Sequence, residues 1–304
     1  MNTIRKYKGV IVPMVTPLDE NLEIDHASVE KLTDNLIGNH TIPFVLGTTG
    51  EAQSMSGALK EDLVKSISRA VKGKSPVFAG ISSNSLQDSL NLARRFADIG
   101  VEAVITTLPS YYPMNDDQII TYIEKLANQL PVPLILYNMP VTVGFSIPLE
   151  IIDKMSHHPN ISGIKDSERD NKRLDRSLKL WSDREDFSFW LGWAHMSVYG
   201  IRNGADGIVP STANLVPNLF NELYQSVIQD RLDKAEELQV KTDEISGLYQ
   251  KGRKLNQSIP ALKALLSIRG LCKTFVLPPL LRMEETEEQK YIKKNKVELN
   301  RMSV

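Results

Sequence analysis

Three short stretches carry groups whose types and positions could do chemistry together. In NISGIKDSE, residues 160–168, an apolar run ends on Lys165, with Asp166 and Ser167 directly after it. Burial penalises a charged amine, and an uncharged amine can attack a carbonyl carbon. A sheltered Lys165 is therefore a candidate nucleophile for imine formation, whereas a Lys165 that snorkels to solvent or pairs with Asp166 or Glu168 would be an ordinary strand-end lysine. Strict alternation would point Ile161, Gly163 and Lys165 to one face, with the glycine leaving room beside the lysine stem. In ILYNMP, residues 135–140, Tyr137 follows a second apolar run. A hydroxyl fixed there could pass protons, and a core tyrosine with a hydrogen-bonded tip would look the same in sequence. In GTTGE, residues 47–51, two glycines around Thr48 and Thr49 allow a tight turn that exposes backbone N–H groups to a carboxylate. A plain turn with a hydroxyl cap is the alternative there.

These stretches need elements to place them. Eight short β-branched runs alternate with longer amphipathic ones up to about residue 231: GVIVPMV from Gly9, PFVLG from Pro43, PVFAGI from Pro76, AVITTL from Ala103, PLILY from Pro133, ISGIK from Ile161, FSFWLG from Phe187 and GIVPS from Gly207. Between them, DHASVEKLTDNLIG reads as a helix capped by Asp25 and stopped at Gly38. SLQDSLNLARRFADIG places Leu86, Leu90, Ala93 and Ala97 on one helical face and stops at Gly100. Alternating strands and helices imply parallel pairing through right-handed crossovers, and eight such units close into a (β/α)8 barrel. An open doubly wound sheet would carry a Gly-rich dinucleotide fingerprint, and none is found. Beyond residue 231 the pattern is helical only, so residues 1–231 read as a catalytic (β/α)8 TIM barrel and 232–304 as a C-terminal helical extension packing on the barrel or on another subunit. Barrel chemistry belongs at the C-terminal strand ends, where Lys165, Tyr137 and the 47–51 loop all fall.

Composition narrows the partners. A chain of 304 residues with 41% hydrophobic and 24% charged content and a net charge of -1 has no basic footprint for nucleic acid. Cys272 is the sole cysteine, which excludes an intramolecular disulfide. No apolar run approaches the ~20 residues that span a bilayer, and no signal-peptide pattern is read at the start, so a cytoplasmic protein with no membrane partner is expected. His26, His40, His157, His158 and His195 do not form a ligand set, since the adjacent pair cannot face one site. No metal is expected.

The motifs in this order resemble the Schiff-base family that includes dihydrodipicolinate synthase and N-acetylneuraminate lyase. GVIVPMVTPL, SYYP at 110–113 and GADGIVPSTAN from Gly204 support the resemblance over most of the chain. It implies a (β/α)8 barrel with C-terminal helices. It implies that Lys165 forms the imine with a 2-oxo acid and that Tyr137 shuttles protons. By the same resemblance Thr48 and Thr49 contact the carboxylate, with Thr48 linking the relay, and Tyr111 is a further relay tyrosine contributed between subunits; Tyr112 would replace it after a one-residue loop shift. Gly47 and Ile208 join the expected substrate contacts. The implied assembly is a homo-oligomer, a dimer or tetramer, and no cofactor is expected beyond the covalent imine on Lys165.

One departure bears on the substrate. Where dihydrodipicolinate synthases carry an arginine after the tyrosine motif, YNMPVTVG has Thr142. Threonine offers neither the charge nor the bidentate fork of a guanidinium. The expected activity is therefore a Schiff-base aldolase or dehydratase acting on a 2-keto-3-deoxy sugar acid or a 4-hydroxy-2-oxo acid, with Thr142 as a substrate contact. Dihydrodipicolinate synthase and N-acetylneuraminate lyase are the alternatives within the family. A metal-dependent aldolase and a non-catalytic barrel that binds a 2-oxo acid are the alternatives outside it.

Overall fold

The computed structural model describes residues 6–302. Eight parallel strands close into a barrel in chain order: β1 (Gly9–Pro13), β2 (Ile42–Val45), β3 (Phe78–Gly80), β4 (Ala103–Thr106), β5 (Leu134–Asn138), β6 (Ile161–Asp166), β7 (Ser188–Leu191) and β8 (Gly207–Ile208), with β8 pairing back onto β1. The expected (β/α)8 barrel with a C-terminal helical region is what forms. Each expected run supplies one strand, because every run is short, apolar and bounded by turn residues.

The helix after β1 starts where Asp25 accepts from the Ser28 N–H. Gly38 is its last residue, but the cap falls one position later, at Asn39. The chain reverses at His40, whose φ of 57° takes up the left-handed turn. At Gly100 the expectation holds, with φ of 93° closing the helix Leu86–Ile99.

Two apolar layers divide the barrel. One lies between strands and helices; the other fills the barrel interior with Ile11, Phe44, Phe78, Ile105, Ile135 and Trp190. Low in the interior, Phe78 meets Trp190 edge-on at 4.9 Å and Tyr7 at 5.1 Å. The Trp190 indole N–H donates to the Tyr7 carbonyl. Aromatic packing of this kind seals the N-terminal end and leaves the C-terminal end for a site.

Beyond the barrel run the helices Leu232–Gln250, Leu255–Ile268 and Glu285–Met302. Tyr249 on the first is hydrogen-bonded through its hydroxyl to Ser211 and Thr212. Gln239 on the same helix accepts from the Val198 N–H. This helix therefore docks on the barrel through buried polar contacts as well as apolar ones.

Candidate active site

Register between two strands sets the centre of the site. On β5 and β6, Ile135 pairs with Gly163, Tyr137 with Lys165 and Asn138 with Asp166. A bulge lies between the Leu134–Ile161 and Ile135–Gly163 pairs. It inserts Ser162 and corrects the expected alternation: Ile161 packs in the outer layer with Leu134 and Ile164, so it does not share a face with Lys165. Gly163 is required by close approach, since a Cβ there would lie 2.6 Å from the Ser188 carbonyl oxygen on β7.

Lys165 is 4% exposed, so it does not snorkel to solvent. Its Nζ lies 3.8 Å from the centroid of the Tyr137 ring and 5.0 Å from that of Phe44. Nor does it pair with the neighbouring acids. Asp166 and Glu168 face Arg173, whose Nε lies 2.7 Å from Asp166 Oδ2 and 3.3 Å from Glu168 Oε2. Asn138 donates to both carboxylates at 2.9 and 3.0 Å, and its own carbonyl accepts from the Ile147 N–H. Burial pushes the Asp166 carboxyl up despite the opposing Arg173 charge and the Asn138 hydrogen bond.

Tyr137 is also buried, and its hydroxyl lies 3.3 Å from Thr48 Oγ1. Burial alone would raise the phenol. The positive charge of Lys165, with hydrogen bonds from Thr48, Lys165 and Ser167, outweighs it and holds Tyr137 below the ordinary tyrosine range. A phenol tuned in this direction is a better proton donor, and its ionised form is reached more readily.

The 47–51 loop is tightly constrained. Leu46 and Glu51, at φ of 57° and 58°, bracket it in the left-handed region, at a cost of roughly 1–2 kcal/mol each for a residue with a Cβ. Thr16 Oγ1 fastens the loop by donating to the Gly50 carbonyl at 2.6 Å. A Cβ on Gly50 would meet the Met14 carbonyl oxygen at 2.9 Å, and one on Gly47 would meet the Phe44 ring at 3.0 Å. The Gly50 and Glu51 N–H groups turn inward onto Gly47 and Thr48. Among the described residues, the Thr48 and Thr49 N–H groups have no acceptor within the chain, the arrangement that an anion-binding turn requires.

Above these groups opens a cavity of about 910 Å³, lined by Gly47, Thr48, Tyr137 and Thr142 among others. Gly47, Thr48 and Tyr137 border this space; Lys165 is not among the residues that line it but lies buried against two that are, Phe44 and Tyr137, and Thr49 is buried as well. Thr142 lies at the mouth, its hydroxyl donating to the Met139 carbonyl. Ile208 requires correction: its side chain packs in the outer layer, and its neighbour Val209 occupies the interior. Adjacent strand residues point to opposite faces, so a slip of one residue exchanges them. Tyr111 is 75% exposed on the loop after β4, set edge-on against Tyr112, and neither lines the cavity.

Sequence reading passed over the Asn138–Arg173 network, although Asn138 sits inside the motif that carries Tyr137. It also missed a buried ion pair behind the loop. Glu51 Oε1 lies 2.5 Å from Lys263 Nζ with both side chains fully buried, a charge contact without hydrogen-bond alignment. The Glu51 carboxylate accepts from the Leu277 N–H, and Lys263 donates to the Phe275 carbonyl. No pattern in sequence joins residues so far apart. Among the described residues no cluster of three or more His, Cys, Asp or Glu is arranged to hold a metal, and no helix is long and apolar enough to cross a membrane.

The family model described as the dihydrodipicolinate synthetase family matches residues 6–297. The chain belongs to that family. As a member of the dihydrodipicolinate synthetase family it is a class I lyase, of the type that works through a lysine Schiff base. It is 30% identical to the 4-hydroxy-tetrahydrodipicolinate synthase of Alkaliphilus oremlandii, over 93% of this chain and 96% of that one. The corresponding enzyme of Archaeoglobus fulgidus is 28% identical over 93% and 96% of the two chains. Among solved structures, the dihydrodipicolinate synthase of Bacteroides thetaiotaomicron superposes with a TM-score of 0.91 at 32% identity, covering 98% of this chain and 99% of the other. The pyruvate complex of the Acinetobacter baumannii dihydrodipicolinate synthase gives 0.87 at 26% identity, covering 98% and 100%.

Proposed function

We propose that the chain cleaves or dehydrates a 2-keto-3-deoxy sugar acid or a related 4-hydroxy-2-oxo acid, with pyruvate as product or co-substrate. In this reading the Lys165 amine adds to the keto carbon and water leaves, giving a protonated imine that acts as an electron sink. In aldol cleavage, the bond between the third and fourth carbons breaks as the 4-hydroxyl loses its proton, and the electron pair passes into an enamine. Tyr137 takes up and returns protons, its hydroxyl steadied by Thr48. The unpaired N–H groups of Thr48 and Thr49 suit the 2-oxo acid carboxylate.

The observation that carries the substrate choice is the lining of the cavity mouth. Thr142 shares that lining with Ser82, Asn84, Thr107 and Ser110, and among the described lining residues Lys254 is the sole cation. Hydroxyl and amide groups match a polyol chain; a second substrate led by its own carboxylate would call for a guanidinium. A panel of 2-keto-3-deoxy sugar acids, N-acetylneuraminate, 4-hydroxy-2-oxoglutarate and pyruvate with aspartate semialdehyde tests the reading. Turnover of a keto-deoxy acid well above the others is expected.

A second reading, condensation of pyruvate with aspartate semialdehyde, is favoured by the names of the relatives across nine-tenths of the chain. Preferential turnover of that pair in the same panel would establish it. Absence of a borohydride-trapped adduct with any 2-oxo acid would favour a non-catalytic barrel, and loss of activity to a strong chelator would favour metal-dependent chemistry. The exposed Tyr111 further motivates a homo-oligomer in which that ring reaches a neighbouring subunit's site. A fully active monomer in sedimentation-coupled assays would count against it.

A further inference from the structure

The Glu51–Lys263 pair has no part in the chemistry above, yet it touches the proposed site from behind. Taking two charges out of water is costly, and buried ion pairs can often be replaced by apolar residues without loss of stability. Stability alone is therefore a weak reason for this pair, and its connections supply a stronger one. Glu51 closes the loop that carries Thr48 and Thr49, and its N–H donates to the Thr48 carbonyl at 3.1 Å. Its carboxylate holds the Leu277 N–H at 2.7 Å, and Lys263 holds the Phe275 carbonyl at 2.6 Å. The helix bearing Lys263 and the chain just after Leu277 supply Leu255, Asn256, Ile259, Pro279 and Leu280 to the cavity wall. Cys272 lies close by with its thiol pushed up to about 12 by burial and by the charges of Glu51 and Asp25, against the opposing charge of Lys263, so it adds no third charge to the pair.

We infer that Glu51 and Lys263 are positioning residues: they fix the carboxylate-binding N–H groups of Thr48 and Thr49 relative to the helical wall of the cavity, and so set how far a 2-oxo acid can extend from Lys165. Two apolar side chains could fill the same space, but they would not replace the directional bonds to Leu277 and Phe275. The inference rests on the Schiff-base reading of Lys165.

The test compares the full-length protein with Glu51→Gln/Lys263→Met, a variant that removes both charges together. Borohydride trapping is measured against concentration for pyruvate and for a six-carbon 2-keto-3-deoxy sugar acid, alongside thermal unfolding. The expected result is a half-saturating pyruvate concentration raised about tenfold or more, an altered ratio between the two ligands, and an adduct still formed at saturation. A pair with a merely structural role would lower the unfolding temperature and leave both half-saturation values where they were, which overturns the inference. Where Glu51→Gln/Lys263→Met does not fold, Glu51→Gln/Lys263→Gln, which likewise leaves no unpaired buried charge, gives the same readout. Glu150→Gln/Arg176→Met removes an exposed ion pair of 2.6 Å and should change neither value. Failure of the unaltered protein to trap either ligand would instead remove the reading of Lys165.

Discussion

Lys165 and Tyr137 are cross-strand partners on β6 and β5, with the lysine nitrogen 3.8 Å from the tyrosine ring centroid. Both project into the barrel interior from rigid strands, so their relative placement is set by the backbone ladder and does not depend on a mobile loop. A nucleophile and a proton carrier held in this way divide the work between them. Lys165→Ala is expected to abolish turnover and the borohydride adduct together. Tyr137→Phe should still bind the 2-oxo acid carboxylate while slowing proton transfer by ~10² or more. Equal loss of pyruvate binding in the two variants would contradict this division.

The electrostatic coupling of the pair can be read directly. Burial raises the Tyr137 phenol, and the Lys165 charge is foremost among the effects that bring it below its ordinary range. Lys165→Met removes that charge while leaving burial in place, so Tyr137 should titrate at higher pH in the variant than in the parent. The ultraviolet absorbance of tyrosinate followed against pH, with Tyr137→Phe subtracted, measures the shift. A downward or absent shift would mean that Lys165 is not the group that tunes the phenol.

Gly163 links the ladder to its neighbour. A methyl group there would lie 2.6 Å from the Ser188 carbonyl oxygen and 3.1 Å from Ser188 Cβ, both on β7. Strand backbone cannot yield as a flexible side chain can, so Gly163→Ala should cost about 1–3 kcal/mol through overpacking. Because Lys165 is two residues on, slower adduct formation should accompany the lower midpoint in urea. Unchanged stability with normal adduct formation would show that the strands separate freely.

Much of this arrangement was legible in sequence because it rests on local patterns. Short apolar runs between amphipathic stretches marked all eight strands, and the ends of those runs brought Lys165 and Thr48 against the same residue, Tyr137. The failures have equally local causes. Ser162 is an extra residue in one strand of a parallel pair, and alternation cannot foresee a bulge; it therefore misplaced Ile161. Ile208 lies on a two-residue strand, too short for its own alternation to establish which face it takes. Glu51 and Lys263 meet only after the barrel has closed and the C-terminal helices have docked.

Thr142 tests the choice of substrate. It lines the cavity mouth on the short helix Pro140–Val143, where a longer side chain has room to extend. Thr142→Arg would supply a charge-assisted contact of about 1.5–3 kcal/mol to a carboxylate-bearing partner. KM for aspartate semialdehyde should fall by roughly tenfold or more in assays with pyruvate, while cleavage of a keto-deoxy sugar acid weakens. Improvement of both activities together would disconnect Thr142 from selectivity.

Asn138 ties the two strand ends together. Its amide nitrogen donates to Asp166 and Glu168, and its carbonyl accepts from the buried Ile147 N–H. Asn138→Ala leaves that N–H without its acceptor and removes a hydrogen bond from each carboxylate, leaving Arg173 to face both acids. A cost of about 2–4 kcal/mol is expected near neutral pH. The sign of the pH dependence follows from Asp166, whose carboxyl is already pushed up by burial and is partly restrained by Asn138. Losing Asn138 disfavours the ionised form, so the penalty is full where Asp166 is charged and shrinks as pH falls through its folded-state pKa. Urea denaturation of parent and variant near neutrality and in mild acid measures both quantities. A penalty that stays unchanged on acidification would place its origin outside the Asp166 contact, in the Ile147 turn alone, and one that grows would reverse the assigned sign.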